Sequence, residues 1–393
     1  MRRGQRSGGL EGLSYLSTLL EGKGADELVE AIKRPPTKYF IRVNTLLAQP
    51  EEVVEEFKEA GLKVGLYGSS IPEAMYLEVE EQELREEEAA GLKEVIVDRF
   101  TAESAMMGAD VYAPGVKKAA KIAEGELVAV RSEDGFLVAV GVVAARPVET
   151  LRARRGLLVR TLKAKFNLPS IRATRAYQEG LIYPQSLPSM AAVRALDPKP
   201  GWRLVDLTAA PGGKVSYAYQ LMGGEGLIIA VDRSNRKVEE LRESLARMKM
   251  LGVQVLRRDS RYLDLELPND YFDAAMVDPP CSALGVRPKL RLKLDLGAVK
   301  SLSEYQRQFL RGAAKLIKRG GRILYSTCTL TKEENEDIVD YAERELGLAV
   351  AEPSQLHGSP SLLEGGRGPL ARRFYPHIHD TPGFFYAVLE RRR

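Results

Sequence analysis

The sequence predicts an α/β chain with three units: a parallel-sheet domain at the C-terminal end, a compact β-barrel before it, and a small α+β element at the start. Three observations carry this. From Tyr177 onward, short apolar strands alternate with amphipathic helices, which implies a parallel sheet covered on both faces. From Val95 the period changes to short β-branched runs broken by Gly and Asp-Gly, the signature of a compact antiparallel barrel. Ahead of both, a single strand-like run, "YFIRVNTL", stands between two helical stretches.

In order along the chain, "GADELVEAIKRPP" reads as a helix and "PEEVVEEFKEAGLKV" as another. The second starts at Pro50 and stops at Gly61, because Pro suits the first helical turn and Gly the position past the last. With the strand between them, a small βαβ layer is expected. In the barrel region the strands fall in "VIVDRF", "GELVAVRSEDGFLVAVGVVAARPV" and "GLLVRTLKA". Beyond it, "GWRLVDLTAAPGG" is a strand running into a Gly loop, "KVSYAYQLMG" a helix, "GLIIAVDRS" a strand and "NRKVEELRESLARMKMLG" a helix. "VQVLRRD" and "YFDAAMVDPPC" are further strands, followed by a helix in "SLSEYQRQFLRGAAKLIKRGG" and a strand in "RILYSTCTL". The domain boundaries expected are 1–92, 93–167 and 168–393.

Composition narrows the function. An apolar content of 44% in 393 residues is ample for true cores, and no run of eighteen apolar residues is present to span a membrane. The start, "MRRGQRSGGLEG", is basic but lacks the apolar stretch of a secretory signal, so the expected location is the cytoplasm. Two cysteines without C-x-x-C spacing, and histidines only at His357, His377 and His379, argue against a disulfide framework and a metal site. A net charge of +4 is small but uneven. Leu77–Glu88 is strongly acidic, Leu151–Arg175 holds eight Arg or Lys and no carboxylate, and "GVRPKLRLK" from Gly285 is a second basic run. Such runs suit either phosphate binding or a plain solvated face.

The chemistry concentrates at the predicted strand ends, where open α/β sheets bind ligands. "DLTAAPGGK", Asp206–Lys214, follows a strand and opens a helix, so its small residues let a ligand approach the backbone at a helix N-terminus. It is neither a P-loop, since Lys214 is followed by Val215, nor G-x-G-x-x-G. The next strands end in Asp232, Asp259 and Asp278, and Asp232 is placed to accept from a ribose diol. In "DPPC" two prolines hold Asp278 and Cys281 on rigid, donor-free backbone. Cys328, in "YSTCTL", ends the neighbouring predicted strand. A free cysteine is commonly a small buried apolar filler. Two of them at adjacent strand ends instead point to a nucleophile and a second ionisable group in one cleft. Residue chemistry leaves open which one attacks.

The motifs "DLTAAPGGK", "VDRS", "RRD", "VDPPCSALG" and "LYSTCTL" with "EENE" resemble, in order, those of the Nop/Sun family of RNA cytosine-5 methyltransferases, over about Thr174 to Arg393. "VIVDRFTAESAMMGADVYAPGV" with "GELVAVRSEDGFLVAVG" resembles a PUA RNA-binding domain, and "IRVNTL" with its following helix an RRM-like element. The resemblance implies a Rossmann-like methyltransferase domain that uses S-adenosylmethionine, preceded by a PUA barrel. It also implies activity on tRNA near the acceptor-stem and CCA end, by a chain acting as a monomer and not on a membrane. By that resemblance Cys328 attacks cytosine C6, Cys281 assists release, Asp278 holds the N3/N4 edge and Lys214 sits near the base or the methionine part of the cofactor. The loop Thr208, Ala209, Ala210, Pro211, Gly212, Gly213 and Lys214 would hold that methionine part, with Asp232 on the ribose, Asp259 on the adenine edge, and Lys237 and Asp278 nearby. Thr208 departs mildly from the family, where Cys or another small residue is frequent. Two other expectations compete: an rRNA cytosine-5 methyltransferase, and a non-catalytic RNA-binding assembly factor. The late stretch "RFYPHIHDTPGFF" is expected to pack beside the site rather than bind metal.

Overall fold

A computed structural model describes residues 14–20 and 24–392; the basic start of the chain lies outside the described residues. The largest of its sheets has nine strands. Five are parallel, in the spatial order Val253–Arg257, Leu227–Asp232, Arg203–Asp206, Phe272–Val277 and Ile317–Thr327. Successive residues on these strands enter opposite cores: Leu204, Ile228 and Ala274 pack on one face, Val205, Ile229 and Ala275 on the other. Both faces are therefore covered, as the strand–helix alternation requires.

The expectation of a parallel sheet fails beyond Thr327. Phe384–Arg391 lies antiparallel to Ile317–Thr327, with Ala371–Phe374 and Leu348–Ala351 antiparallel to it in turn. Only residues 375–383 link Ala371–Phe374 to Phe384–Arg391. Such a link is too short for the crossover of a dozen or more residues that a parallel return demands.

The chain leaves Arg203–Asp206 toward one edge and comes back to its other side with Phe272–Val277. The strand order thus reverses between these two neighbours, and a crevice opens at their carboxyl ends. "DLTAAPGGK" and "DPPC" both emerge there.

The barrel region forms a six-stranded sheet, Val111–Tyr112, Leu157–Ala164, Leu137–Val143, Leu127–Ser132, Lys93–Val97 and Val116–Ala119. It is not wholly antiparallel, because Lys93–Val97 runs parallel to Leu127–Ser132. "VIVDRF" is not all strand either. Asp98 accepts from the Thr101 backbone N–H at 2.8 Å, and this cap starts a helix over Arg99–Ala105.

In the N-terminal unit the strands are ordered Ile182–Pro184, Lys38–Val43, Ala74–Glu78, Val64–Leu66, antiparallel at every pairing. The expected βαβ layer is therefore split: Ala74–Glu78 sits between the two strands that flank the helix Pro50–Glu59, an RRM-like order. The fourth strand, Ile182–Pro184, comes from beyond the barrel, so residues 1–92 do not hold the whole unit.

This small sheet is fastened to the large one. Arg42, fully buried, donates to Gln220 Oε1 and Ser216 Oγ at 2.7 Å each, and Asn44 Nδ2 donates to the carbonyls of Gly180 and Met248 at 3.1 Å. Ser216 and Gln220 belong to the helix Gly213–Leu221, whose first residues close the Gly loop. No helix among the described residues is long and apolar enough to cross a membrane.

Candidate active site

Most of the functional side chains follow the end of a strand, and Lys214 and Lys237 stand in the first turns of the helices after two of them. After Arg203–Asp206 the chain turns at once, because the Asp206 carboxylate accepts from the Thr208 N–H at 3.0 Å. Burial pushes the Asp206 carboxyl up to about 7, a rise the Thr208 N–H partly opposes. Gly212 turns the loop at φ +116°, a region only glycine enters freely, and seats it against Leu241. A Cβ at Gly213 would lie 3.0 Å from the Tyr183 ring, so a side chain there would require the ring to give way.

Asp278 is fixed from three sides. Its N–H donates to Thr208 Oγ1 at 2.8 Å, Ser326 Oγ donates to Oδ1 at 3.0 Å, and Lys214 Nζ pairs with Oδ2 at 2.6 Å. Each carboxylate oxygen keeps a lone pair for a further donor. Lys214 Nζ also lies 5.3 Å from the centre of the Phe384 ring.

The two thiols meet. Cys281 Sγ and Cys328 Sγ are 3.4 Å apart, both unbonded and partly accessible. Their surroundings are unequal. The hydrogen bond between the two sulfurs lowers Cys328, with Lys214 and Lys289 adding to the effect and burial and the charge of Asp278 opposing it. That same shared proton raises Cys281, together with burial and the charge of Glu334. The two sulfurs therefore titrate as a pair that shares one proton, with the lower side at Cys328.

Behind Cys281 stands the fully buried Glu334. Its Oε1 accepts from the Ser282 N–H at 2.9 Å and from Gln306 Nε2 at 3.0 Å, and its Oε2 from Ser282 Oγ at 2.5 Å and Thr331 Oγ1 at 2.7 Å. These bonds tie the segment after "DPPC" to the segment after Cys328. The Lys289 side chain reaches the Ala283 carbonyl in the same region, and burial lowers its pKa.

Two clefts meet at this centre. The first, about 280 Å³, is lined by Thr208, Ala210, Asp232, Lys237, Asp259, Asp278, Cys281 and Cys328 among others, with Pro279, Pro280 and Phe309 supplying apolar walls. The second, about 320 Å³, is lined by Thr208, Ala209, Ala210, Pro211, Gly213, Lys214, Asp278 and Cys328, with Tyr183, Gln185 and Phe384. Every candidate site residue lines one or both except Gly212, which shapes the loop from behind. Asp232 Oδ1 accepts from the Ser234 N–H at 3.0 Å, while Lys237 Nζ stands 3.8 Å from Oδ2, leaving acceptor capacity toward the first cleft. Asp259 is more committed: Arg261 grips both its oxygens, at 2.9 and 2.6 Å, and holds the carboxyl below its usual range. Acceptors at one end, apolar walls and a carboxylate at the other suit a nucleoside joined to an amino acid.

Sequence reasoning missed Ser326, Gln185, Tyr183, Phe384, Lys289 and the inward role of Glu334. Four of these lie in motifs the sequence displays, Ser326 in "YSTCTL", Lys289 in "GVRPKLRLK", Phe384 in "RFYPHIHDTPGFF" and Glu334 in "EENE", whereas Gln185 and Tyr183 carried no signal. The second basic run is also corrected. Arg287 donates to the Ala31 and Arg34 carbonyls at 2.6 and 2.9 Å and pairs with Asp380 at 3.0 Å, and Lys289 is buried, so the first half of this run ties units together while Arg291 and Lys293 stay exposed. The late stretch does border the site, since Pro382 and Phe384 line the second cleft. In it His379 Nδ1 accepts from the Tyr375 N–H at 2.9 Å, a structural role.

Comparison with known proteins gives two family matches: residues 193–390 match the family described as 16S rRNA methyltransferase RsmB/F, and residues 93–164 match the PUA domain. The chain is 38% identical to a tRNA (cytosine(72)-C(5))-methyltransferase of Pyrococcus horikoshii, over 96% of this chain and 95% of that one. It is 28% identical to the mouse tRNA (cytosine(72)-C(5))-methyltransferase NSUN6, over 84% and 76% of the two chains. A crystal structure of NSun6 from Pyrococcus horikoshii with SFG superposes with a TM-score of 0.87 at 38% identity, covering 98% of each chain.

Proposed function

Since the chain belongs to the Nop/Sun family of RNA cytosine-5 methyltransferases and acts on tRNA, we propose that it methylates C5 of cytidine 72, in the acceptor stem, with S-adenosylmethionine as donor. The observation that carries this reading is the thiol pair, 3.4 Å apart where the two clefts meet and beside the Lys214–Asp278 pair. The first cleft takes the cofactor: Asp232 accepts from the ribose diol, Asp259 faces the adenine edge, Lys237 closes the rim, and the loop 208–214, which lines this cleft through Thr208 and Ala210, holds the methionine part with Asp278. When bound, S-adenosylmethionine supplies an electrophilic methyl group.

The second cleft takes the target base, flipped out of the stack. Flipping is cheapest near a helix end, where few stacked pairs must open. The Cys328 thiolate adds to C6, forming an S–C6 bond and passing the C5=C6 electron pair toward C5, which becomes the nucleophile that takes the methyl group. Asp278, oriented by Ser326 and Lys214, holds the N3/N4 edge while charge builds there. Cys281, once it has passed its own thiol proton to solvent, takes the C5 proton as a thiolate; the C–H electron pair re-forms the C5=C6 bond and the S–C6 bond breaks, its electron pair returning to the Cys328 sulfur.

A monomer on one tRNA suffices for this, since one chain supplies every group named. The ribosomal RNA reading has less support, because the relative at 38% identity is named for tRNA, whereas one named for rRNA and aligned along 91% of the chain is 27% identical. The test is methylation of deproteinised tRNA and of ribosomal RNA with labelled cofactor, followed by bisulfite mapping. Label in tRNA at position 72 is expected; label only in ribosomal RNA would overturn the substrate assignment.

A further inference from the structure

We propose that Gln185 is a specificity residue that reads the 4-amino group of the target cytosine, an inference that rests on the second cleft being the pocket for the flipped base. Gln185 leaves the strand Ile182–Pro184 just ahead of the helix Leu187–Leu196, and its side chain is 6% exposed. Its neighbours fix it. The backbone N–H donates to the Phe40 carbonyl at 3.3 Å, Nε2 donates to Ser189 Oγ at 3.2 Å, and a Cβ added at Gly213 would lie 3.7 Å from its amide carbon. The amide carbonyl Oε1 is then left buried, with no hydrogen-bond partner among the described residues. Buried polar atoms are rarely left so, and an unpaired one at a site asks what it is kept for.

The cleft around it defines the answer. Lys214, Asp278, Thr208 and Cys328 line the same cavity, and the one ammonium among them is already engaged by Asp278. An orphan acceptor needs a donor from the ligand. Cytosine carries two N–H bonds on N4, one on the Watson–Crick edge and one on the C5 side, whereas uracil carries an oxygen at that position. Asp278 accepts one N4–H and Gln185 Oε1 the other. A uracil in the same place would turn its 4-oxygen toward two acceptors, and a site built to receive N–H donors rejects an analogue that lacks them. The small N-terminal sheet, which supplies Ile182–Pro184, thereby contributes directly to base choice and not only to packing.

The experiment compares Gln185→Met, similar in length but without an acceptor, with Gln185→Glu, which keeps one. Both are assayed on tRNA bearing cytidine or uridine at the target position, with cofactor affinity and thermal unfolding measured in parallel. For Gln185→Met the expected result is a drop in kcat/KM on the cytidine tRNA of about 10 to 100-fold. The cytidine-to-uridine preference is expected to fall by a similar factor, with cofactor affinity within about twofold of the parent. Gln185→Glu is expected to keep the preference. Unchanged kcat/KM and preference in Gln185→Met would overturn the proposal, as would a loss of cofactor affinity equal to the loss of activity, since the amide would then serve the cofactor. Failure of the parent enzyme to methylate cytidine in tRNA would instead sink the reading of the cleft itself.

Discussion

The proposed attack by Cys328 rests on how the paired sulfurs share a proton and on the cations near them. Cys328 is lowered by the hydrogen bond with Cys281 and by Lys214 and Lys289, against burial and the charge of Asp278, which favours its thiolate over that of Cys281. Replacing Cys328 by Ala is expected to abolish methylation while leaving cofactor binding intact; turnover at the parent rate would remove it from the attacking role. Replacing Cys281 by Ala removes the donor that stabilises the Cys328 thiolate. The rate of adduct formation in that variant should therefore rise with pH through a higher midpoint than in the parent, and Lys289→Met should move the midpoint the same way. A rate profile that stays put or shifts to lower pH in both variants would contradict this electrostatic account. The cysteines and the strand-end carboxylates were legible in the sequence because each sits in a short motif after a strand. Ser326, Gln185 and Lys289 were not, because their function depends on what distant segments bring against them. Gln185 matters only once Gly213 and Ser189 close around its amide.

At the scale of elements, Asp206 couples the Gly loop to stability. Its carboxyl titrates near 7 in the folded chain against about 3.8 when unfolded, because burial disfavours its charge. The folded state therefore holds a proton that the unfolded state has lost, and stability falls as pH rises from about 4 through 7. Asp206→Asn, which keeps an acceptor for the Thr208 N–H, should flatten this dependence and raise stability at pH 8 by an amount on the order of 4 kcal/mol. Chemical unfolding of the unliganded protein at several pH values measures it, and an unchanged pH slope would count against the buried-proton account. Asn44→Ala strands two buried carbonyls between the small sheet and the large one, and should destabilise by on the order of 2–3 kcal/mol; a melting temperature equal to the parent's would show the two sheets are held otherwise. The helix from Pro50 and the five parallel strands were legible from periodicity and end signals. The fourth strand of the small sheet was not, since a three-residue strand more than a hundred residues away carries no pattern of its own. The antiparallel C-terminal strands escaped for a related reason: direction is set by the length of the link, not by strand composition.

Across the whole molecule, the basic run Leu151–Arg175 is divided by its partners. Lys163 pairs with Glu88, Arg175 with Glu56, and Arg154 donates to the Pro114 carbonyl, whereas Arg152, Arg155 and Arg160 are exposed and without an ion pair among the described residues. Sequence alone showed the charge but not which part of it is free for RNA. Reversing these three to Glu should raise KM for tRNA at least about tenfold and reduce the salt dependence of binding by roughly one logarithmic unit for each phosphate no longer neutralised, with cofactor affinity unchanged; an unaltered salt slope would place the RNA elsewhere. The central claim, a covalent route through Cys328 to a tRNA cytidine, is tested most directly by incubating the Cys281→Ala variant with tRNA and S-adenosylmethionine, isolating the retarded band on a denaturing gel, and mapping both ends of the cross-link by mass spectrometry. The account predicts a nucleotide from position 72 joined to Cys328; no adduct, or one joined to another residue, would contradict it.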